Sequence, residues 1–270
     1  MLIVESAGLT DIGRKRKVNQ DCFAIDDALG LYIVADGMGG HAAGEVASRE
    51  AAETVLNHTK TITGRRKRVK SPGGYRRLSR QANRLLAGMT AANQHVYDMA
   101  HDDRRYTGMG TTVSAVFLSD RGFIAANVGD SPIFLIRGDT IEMVSKLHTV
   151  ASAATVANPQ GQVLGKAFKH ILTRAIGTKK NVAPDTTERR CRAGDTIVIA
   201  SDGLTDMVPA EQIRDAISGA KAAEACERLV ALANERGGAD NITVIVINIQ
   251  DVKTSQNVFS RLGAIFGRKK

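Results

Sequence analysis

Most of the chain alternates between short apolar runs and polar turns. The runs are rich in Val, Ile and Phe, a pattern that predicts β-strands rather than helices. We expect strands at residues 2–10, 22–27, 30–35, 111–118, 122–128, 132–137, 140–144, 187–192, 196–201 and 241–249. Apolar residues at helical spacing predict helices at residues 42–59, 76–101, 209–218 and 220–236.

The connections between neighbouring strands indicate how the strands pair. Turn signals such as Asp120–Gly122 and Arg137–Thr140 leave only a few residues between two strands. Links this short join antiparallel strands, because a parallel pair needs a long crossover. Strands that are grouped together, with the helices set apart from them, indicate the α+β class. We therefore predict a four-layer α-β-β-α sandwich, in which two packed antiparallel sheets are flanked by helices.

The composition is that of an ordinary globular protein. The chain has 270 residues, of which 43% are hydrophobic and 24% charged, and this excludes disordered, collagen-like and coiled-coil classes for most of it. Three cysteines at wide spacing (Cys22, Cys191 and Cys226) offer no disulfide framework, so we expect a cytoplasmic protein. No run of about 18 apolar residues predicts a membrane span.

The net charge of +9 is unevenly distributed. Residues 60–84 contain ten basic residues and no acid, and residues 251–270 carry a net charge of +4, which leaves −5 for the rest. We interpret 60–84 as a solvated connection between helices, or alternatively as a docking patch for an acidic partner. The apolar residues of 257–270 share one helical face, which predicts either packing on the domain or a peripheral membrane contact.

Several strands end at, or begin just after, an aspartate. These residues are Asp21, Asp36, Asp130, Asp202 and Asp240. An aspartate beside a glycine after a strand is also a common turn signal, so each residue alone is weak. Together they predict carboxylates that converge on one rim of the sandwich and need a cation. Oxygen ligands without a His or Cys cluster favour Mg²⁺ or Mn²⁺.

The order of the motifs resembles that of the bacterial metal-dependent Ser/Thr protein phosphatases of type 2C. The resemblance covers residues 1–250, and DGMGGH followed by SDG and ADNIT is its most specific part. The matching segments are GRKRKVNQD (13–21), VADGMGGHAAGEVAS (34–48), GMGTT (108–112), NVGDS (127–131), LTRAIG (172–177), IASDGLTD (199–206) and GGADNIT (237–243).

The resemblance implies a site for two Mn²⁺ or Mg²⁺ ions, with room for a third, weaker one. Asp36 would bridge the two main ions, and the carbonyl oxygen of Gly37 would bind one of them. Asp202 and Asp240 would hold the first ion, and Asp21 would lie beside the second. Asp130, together with Asp202, would hold the third ion.

The resemblance also implies how the phosphate is handled. Arg16 takes the place of the arginine that grips the substrate phosphate, while water activated by the metals attacks the phosphorus. His41 is a candidate proton donor to the leaving oxygen, or else only part of the loop before a helix. Gln20, where the family usually has a glutamate, and Asn241 are expected beside the ligands.

A second departure lies before the flap-like segment 145–170. The family usually carries an Asp-His-Ser-like triplet there, and this chain has Lys146, Leu147 and His148. The departures bear on substrate choice and on the behaviour of the flap more than on the metal ligands. We expect this segment to be irregular, because its periodicity is weak.

We therefore predict a monomeric Ser/Thr phosphoprotein phosphatase, with a type-2C domain at 1–250 and a basic amphipathic tail at 251–270. Its partners would be phosphorylated Ser/Thr proteins, including a cognate Ser/Thr kinase. One alternative is a catalytically silent relative that binds phosphoproteins. Another is a nucleic-acid binder that uses 60–84, but few aromatic residues are available for stacking and none interleaves with the basic run, so we expect no nucleic-acid partner.

Overall fold

The computed structural model describes residues 2–39, 43–64, 78–157, 168 and 170–253. The strands are β1 (Leu2–Asp11), β2 (Asp21–Asp26), β3 (Leu31–Met38), β4 (Gly110–Thr111), β5 (Val113–Leu118), β6 (Gly122–Val128), β7 (Ile133–Arg137), β8 (Thr140–Met143), β9 (Asp185–Arg190), β10 (Thr196–Ala200) and β11 (Ile242–Val252). The α-helices are α1 (Ala43–Gly64), α2 (Arg80–Asp102), α3 (Val150–Ala157), α4 (Asp202–Thr205), α5 (Ala210–Ile217) and α6 (Ala222–Glu235).

The strands form two antiparallel sheets. The first sheet has the order β1-β11-β10-β7-β8. The second has the order β2-β3-β5-β6-β9, and β4 adds to it by pairing with β3. Helices α1 and α2 cover the outer face of the second sheet, and α5 and α6 cover that of the first. The predicted four-layer α-β-β-α sandwich is confirmed.

Three hydrophobic clusters separate these four layers. In β11, Val244 and Val246 pack towards the helices, whereas Ile245 and Ile247 pack between the two sheets. Successive side chains of a strand point to opposite faces of its sheet. A central strand of this sandwich is buried on both faces and therefore has an almost continuous apolar sequence.

Some boundaries differ from the predicted ones. Helix α1 extends to Gly64 and α2 begins at Arg80, so both helices enter the predicted basic connection; its residues 65–77 lie outside the described residues. Helix α3 occupies part of the flap-like segment that we predicted to be irregular. Its sequence, VASAATVA, consists mainly of small residues whose amphipathic pattern is weak.

The C-terminal strand crosses the predicted boundary between the domain and the tail. β11 continues to Val252, whereas the tail was predicted to begin at 251. Residues 254–270 lie outside the described residues, so the amphipathic tail and the division at 250 stay predictions. Within the described ranges, none of the helices combines the length and the apolar character needed to cross a membrane.

Candidate active site

Five aspartates converge at one edge of the sandwich, where strands of both sheets begin or end. Asp21 and Asp36 lie opposite each other in the β2–β3 register. Asp130 follows β6, Asp202 is the first residue of α4, and Asp240 lies just before β11. All of these except Asp21 line a cleft of about 800 Å³. The predicted convergence of the strand-end carboxylates is therefore present in the fold.

Asp21 joins the two sheets beneath this cleft. The Ser201 hydroxyl donates to Asp21 Oδ2 at 2.8 Å and accepts from the Thr243 N–H at 2.9 Å. The other carboxylate oxygen, Asp21 Oδ1, is buried and has no hydrogen-bond partner among the described residues. A buried carboxylate oxygen without a donor is costly, and a cation or a water bound to one would satisfy it.

The pKa values of the clustered carboxyl groups are raised. Burial, followed by the charges of Asp21 and Asp202, raises the pKa of Asp36 well above its usual range. Burial raises the pKa of Asp21 to about 6 despite hydrogen bonds from Thr243 and Ser201. Burial and the charge of Asp202 raise the pKa of Asp130 to about 7. Buried like charges disfavour ionisation, and a bound cation would reverse that preference.

Gly37 follows the bridging candidate Asp36 at a point where the backbone is tightly packed. A Cβ atom there would lie 2.1 Å from the carbonyl oxygen of Gly44 and 2.5 Å from that of Gln20. The N–H of Gly37 donates to the same Gln20 oxygen at 3.1 Å. Glycine is therefore required to bring this backbone into the floor of the cleft.

Arg16 lies on the loop between β1 and β2, at the rim of the cleft. Its Nη2 donates to Asp240 Oδ2 at 2.6 Å, and the side chain is half exposed. The hydrogen bond to Asp240, followed by the opposing effect of partial burial, leaves the pKa of Arg16 raised. The guanidinium is therefore charged and faces the predicted metal ligands.

Asn241 holds the loop that carries Arg16. Its Oδ1 accepts from the Gln20 N–H at 2.8 Å, and its Nδ2 donates to the carbonyl oxygens of Ile12 and Val18, both at 3.0 Å. Gln20 also lines the cleft. Both residues lie beside the candidate ligands. His41 lies outside the described residues.

Two neighbours of the carboxylate cluster, His170 and Asp206, were not predicted from the sequence. His170 Nδ1 lies 3.6 Å from Asp202 Oδ2 and 3.6 Å from Asp206 Oδ2, and these three side chains are close enough to share a metal ion. Asp206 follows Asp202 by four residues, which places both on the same side of a helical turn. That spacing could have indicated Asp206 from the sequence. His170 lies in the flap-like segment, where no sequence pattern indicates that it contacts these aspartates.

His148 was named only as part of a departure from the family pattern, but it is almost fully buried (4% exposed). Its Nε2 lies 2.8 Å from Asp185 Oδ2 at the start of β9. Arg174, which lines the cleft, donates to the same oxygen at 2.8 Å. The imidazole therefore links the flap-like segment to the second sheet.

Comparison with known proteins identifies the family. Residues 11–242 match the family model described as protein phosphatase 2C. The chain is 35% identical over 246 residues to a putative 2C-type protein phosphatase of Streptococcus pyogenes serotype M6, covering 88% of this chain and 95% of that protein. It is 33% identical over 254 residues to protein phosphatase PhpP of Streptococcus pneumoniae, with 92% and 98% covered.

A solved structure extends the likeness to three dimensions. The catalytic domain of the Ser/Thr protein phosphatase PstP, in complex with two manganese ions, superposes with a TM-score of 0.77 at 31% identity. The match covers 93% of this chain and 100% of that one. The convergent carboxylates, the family model and these relatives agree, and the chain belongs to the protein phosphatase 2C family of Ser/Thr protein phosphatases.

Proposed function

We propose that this phosphatase hydrolyses phosphoserine and phosphothreonine side chains with the help of two divalent ions, Mn²⁺ or Mg²⁺. The observation that carries the proposal is the set of buried and partly buried carboxylates at one edge of the sandwich, where Asp21 Oδ1 lacks a hydrogen-bond donor among the described residues. The donor set consists of oxygens, which suits hard cations. The two manganese ions of the PstP structure support the same number of ions here.

The division of the carboxylates between the ions follows the family resemblance. Asp36 would bridge both ions, the Gly37 carbonyl would bind one, Asp202 and Asp240 would hold the first, and Asp21 would lie beside the second. When bound, two such ions would lower the pKa of a water and so supply the nucleophile for attack on phosphorus. The chain itself contributes a fixed cluster of oxygens and a cleft open to a protein substrate.

Arg16 would hold the phosphate. In the structure its guanidinium donates to Asp240, a pairing that neutralises one carboxylate of the cluster. When Asp240 serves as a metal ligand, the guanidinium becomes available to bind two phosphate oxygens at once. Because Arg16 lies on a loop fixed by Asn241, it reaches the cleft from a defined side.

The remaining predicted roles also belong to this proposal. Asp130 and Asp202 would share a third, weaker ion, as the resemblance implies; both line the cleft, and after burial the charge of Asp202 contributes most to the raised pKa of Asp130. His41 stays the candidate proton donor to the leaving serine or threonine oxygen. Phosphorylated Ser/Thr proteins, including a cognate kinase, are the proposed substrates. Cytoplasmic location, the monomeric state and contacts through 60–84 and 257–270 stay predictions.

Hydrolysis of phosphopeptides tests the proposal. The protein, first treated with a chelator, is assayed with phosphothreonine, phosphoserine and phosphotyrosine peptides, with and without added Mn²⁺ or Mg²⁺. We expect Mn²⁺-dependent release of phosphate from the first two peptides. Asp36→Asn should abolish this activity, whereas Asp120→Asn, at an exposed position away from the cleft, is the matched control and should retain it.

Two results would contradict the proposal. Hydrolysis that is unchanged in Asp36→Asn would remove the metal cluster from the mechanism. A protein that binds phosphopeptides and Mn²⁺ without releasing phosphate would instead support the silent phosphoprotein-binding alternative.

A further inference from the structure

Backbone hydrogen bonds next to the cleft join the chain on the two sides of the flap-like segment. The N–H of Val150 donates to the carbonyl oxygen of Ile171 at 2.9 Å, and the N–H of Thr173 donates to that of His148 at 2.8 Å. We call these two hydrogen-bonded pairs the neck. The neck fixes where the segment leaves and rejoins the domain, and His148 is its innermost residue.

His148 also makes two hydrogen bonds to Gly129, the residue before Asp130. The His148 N–H donates to the Gly129 carbonyl oxygen at 2.9 Å, and the Gly129 N–H donates to His148 Nδ1 at 3.1 Å. Gly129 has φ +112°, and a Cβ atom there would lie 2.5 Å from the side chain of Thr112. Both the N–H and the carbonyl oxygen of Gly129 are therefore hydrogen-bonded to His148, and these bonds fix the turn that carries Asp130.

These contacts define the protonation state of the imidazole. A backbone N–H can only donate, so Nδ1 must accept, and the ring proton lies on Nε2. Nε2 can then donate to Asp185, which also accepts from Arg174. Burial lowers the pKa of His148, and the opposing effect of Asp185 is offset by Arg174 and Lys146. A neutral ring protonated on Nε2 suits Gly129 and Asp185, while Arg174 Nη1, 3.2 Å from Nε2, donates instead to Asp185 and to the carbonyl oxygen of Ala183.

The Asn127 side chain forms a second connection between this part of the domain and the residues before the neck. The side chain of Asn127 donates through Nδ2 to the carbonyl oxygen of Lys146 and accepts at Oδ1 from the Lys146 N–H at 3.3 Å. These bonds use the backbone of Lys146, whose side chain is exposed and lies 3.6 Å from Asp185. The Lys146 side chain is thus dispensable for the turn, unlike the imidazole of His148.

We propose that His148 is a positioning residue for Asp130, and that through the neck it couples the flap-like segment to the third, weaker metal position. The inference rests on the proposed function for the role of Asp130 as a ligand. His148 does not touch the reacting atoms. It fixes the backbone of Gly129, and thereby the direction from which the Asp130 carboxylate faces Asp202.

Three substitutions separate the two hydrogen bonds of the imidazole. Asn places a carbonyl oxygen near the position of Nδ1, so His148→Asn retains the acceptor for Gly129. Gln places its amide near Nε2, so His148→Gln retains the donor to Asp185 and loses the acceptor. His148→Ala loses both. Asp130→Asn marks the loss of the ligand itself.

The readout is Mn²⁺ binding to the full-length protein, measured by titration calorimetry and by the electron paramagnetic resonance signal of free Mn²⁺. We expect His148→Gln and His148→Ala to weaken the weakest Mn²⁺ about 10-fold or more, the usual cost of removing a hydrogen bond that orients a metal ligand. His148→Asn should stay within about threefold of the wild type, because the bond to Gly129 is retained. Lys146→Ala is the matched control and should bind as the wild type does.

Circular dichroism and thermal unfolding of each variant separate positioning from folding. Folded Gln and Ala variants with wild-type Mn²⁺ affinity would overturn the proposal, as would equal weakening in the Asn and Gln variants. A wild-type isotherm that Asp130→Asn leaves unchanged would overturn it too. Binding is measured without hydrolysis. An inactive protein that still binds Mn²⁺ would therefore contradict the proposed function, but the role of His148 could still be tested on it.

Discussion

The two ends of strand β10 are followed or preceded by aspartates, one buried (Asp195) and one partly buried (Asp202), that are neutralised differently. Asp195 precedes the strand and is 1% exposed. It accepts hydrogen bonds from Arg137 Nε and Nη2 at 2.8 and 2.7 Å, and from the Arg192 N–H at 2.7 Å. This two-pronged arginine pair is the usual way in which a protein neutralises a buried carboxylate.

At the other end of β10, Asp202 faces further acids. Burial, followed by the charges of Asp206 and Asp240, raises its pKa. Its neighbour His170, on the described part of the chain, lies 3.6 Å away and is half exposed. The comparison shows that burial of an aspartate does not by itself indicate a functional site. The distinguishing feature is a carboxylate that the chain buries among like charges.

The largest expected effect is that of Asp202→Asn. The Asp202 carboxylate is proposed to bind a metal ion, and in the metal-free protein it repels its acidic neighbours; the substitution removes both effects. Losing a metal ligand removes several kcal/mol of transition-state stabilisation, so Mn²⁺-dependent hydrolysis should fall by about a thousandfold or more. The metal-free protein should become more stable, because a repelling charge has been removed. Steady-state kinetics and urea unfolding of the same preparation measure both. A variant that loses stability and keeps its activity would make Asp202 resemble Asp195.

Arg137→Ala should give the opposite pattern. It leaves the Asp195 carboxylate buried without its guanidinium and should lower the free energy of unfolding by about 3 kcal/mol, less than for a fully buried pair because Arg137 is partly exposed. The value of kcat/KM in saturating Mn²⁺ should stay within about twofold, since the pair lies at the far end of the strand. A large loss of activity in a folded variant would contradict this separation.

Mn²⁺ should stabilise the protein through the cleft and not through the arginine pair. At about 30 times Kd, an ion that binds only the folded state adds about 2 kcal/mol. Differential scanning calorimetry should show an increase in Tm of the same size in the wild type and in Arg137→Ala, reversed by a chelator. In Asp202→Asn the increase should be less than half as large. Equal stabilisation of all three proteins would place the ion elsewhere.

The last effect concerns pH and is confined to the metal-free protein. Asp130 has a pKa of about 7 in the metal-free fold and about 3.9 when unfolded, so between these values the folded state binds more protons and its stability falls as pH rises. The penalty is absent below pH 4 and complete above pH 7. In Asp130→Asn this penalty is missing, so the free energy of unfolding of this variant relative to the wild type should increase across that window, by up to about 4 kcal/mol.

Urea unfolding at several pH values between 4 and 8, in the presence of chelator, measures this difference. A difference that is independent of pH, or one that decreases as pH rises, would show that the Asp130 carboxyl is not held among like charges.

The sequence predicted the sandwich because burial leaves a strong trace in it. Strands such as β3 and β11 are buried on both faces and read as continuous apolar runs, and short turns required antiparallel pairing. Helix α3 left little trace, since its small residues bury no regular face. The end of β11 was missed because Gln250 and Asp251 are polar and exposed although they belong to the strand.

The residues of the candidate site likewise divide into those with a signal in the sequence and those without one. Asp36 and Asp202 could be predicted because each lies at a strand end within a specific motif. His148 and His170 could not be placed, because their contacts depend on how distant parts of the chain pack. His148 is 37 positions from Asp185, and a lone histidine in sequence does not show which nitrogen will meet which partner.

The most direct test of the central claim is a crystal of the wild-type protein grown or soaked with Mn²⁺, with diffraction measured at the manganese edge. The anomalous difference map should show two strong peaks in contact with oxygens of Asp36, Asp202 and Asp240, and Arg16 should no longer be paired with Asp240. A map without peaks at these carboxylates, or with a peak at His170 and Asp206 alone, would contradict the account.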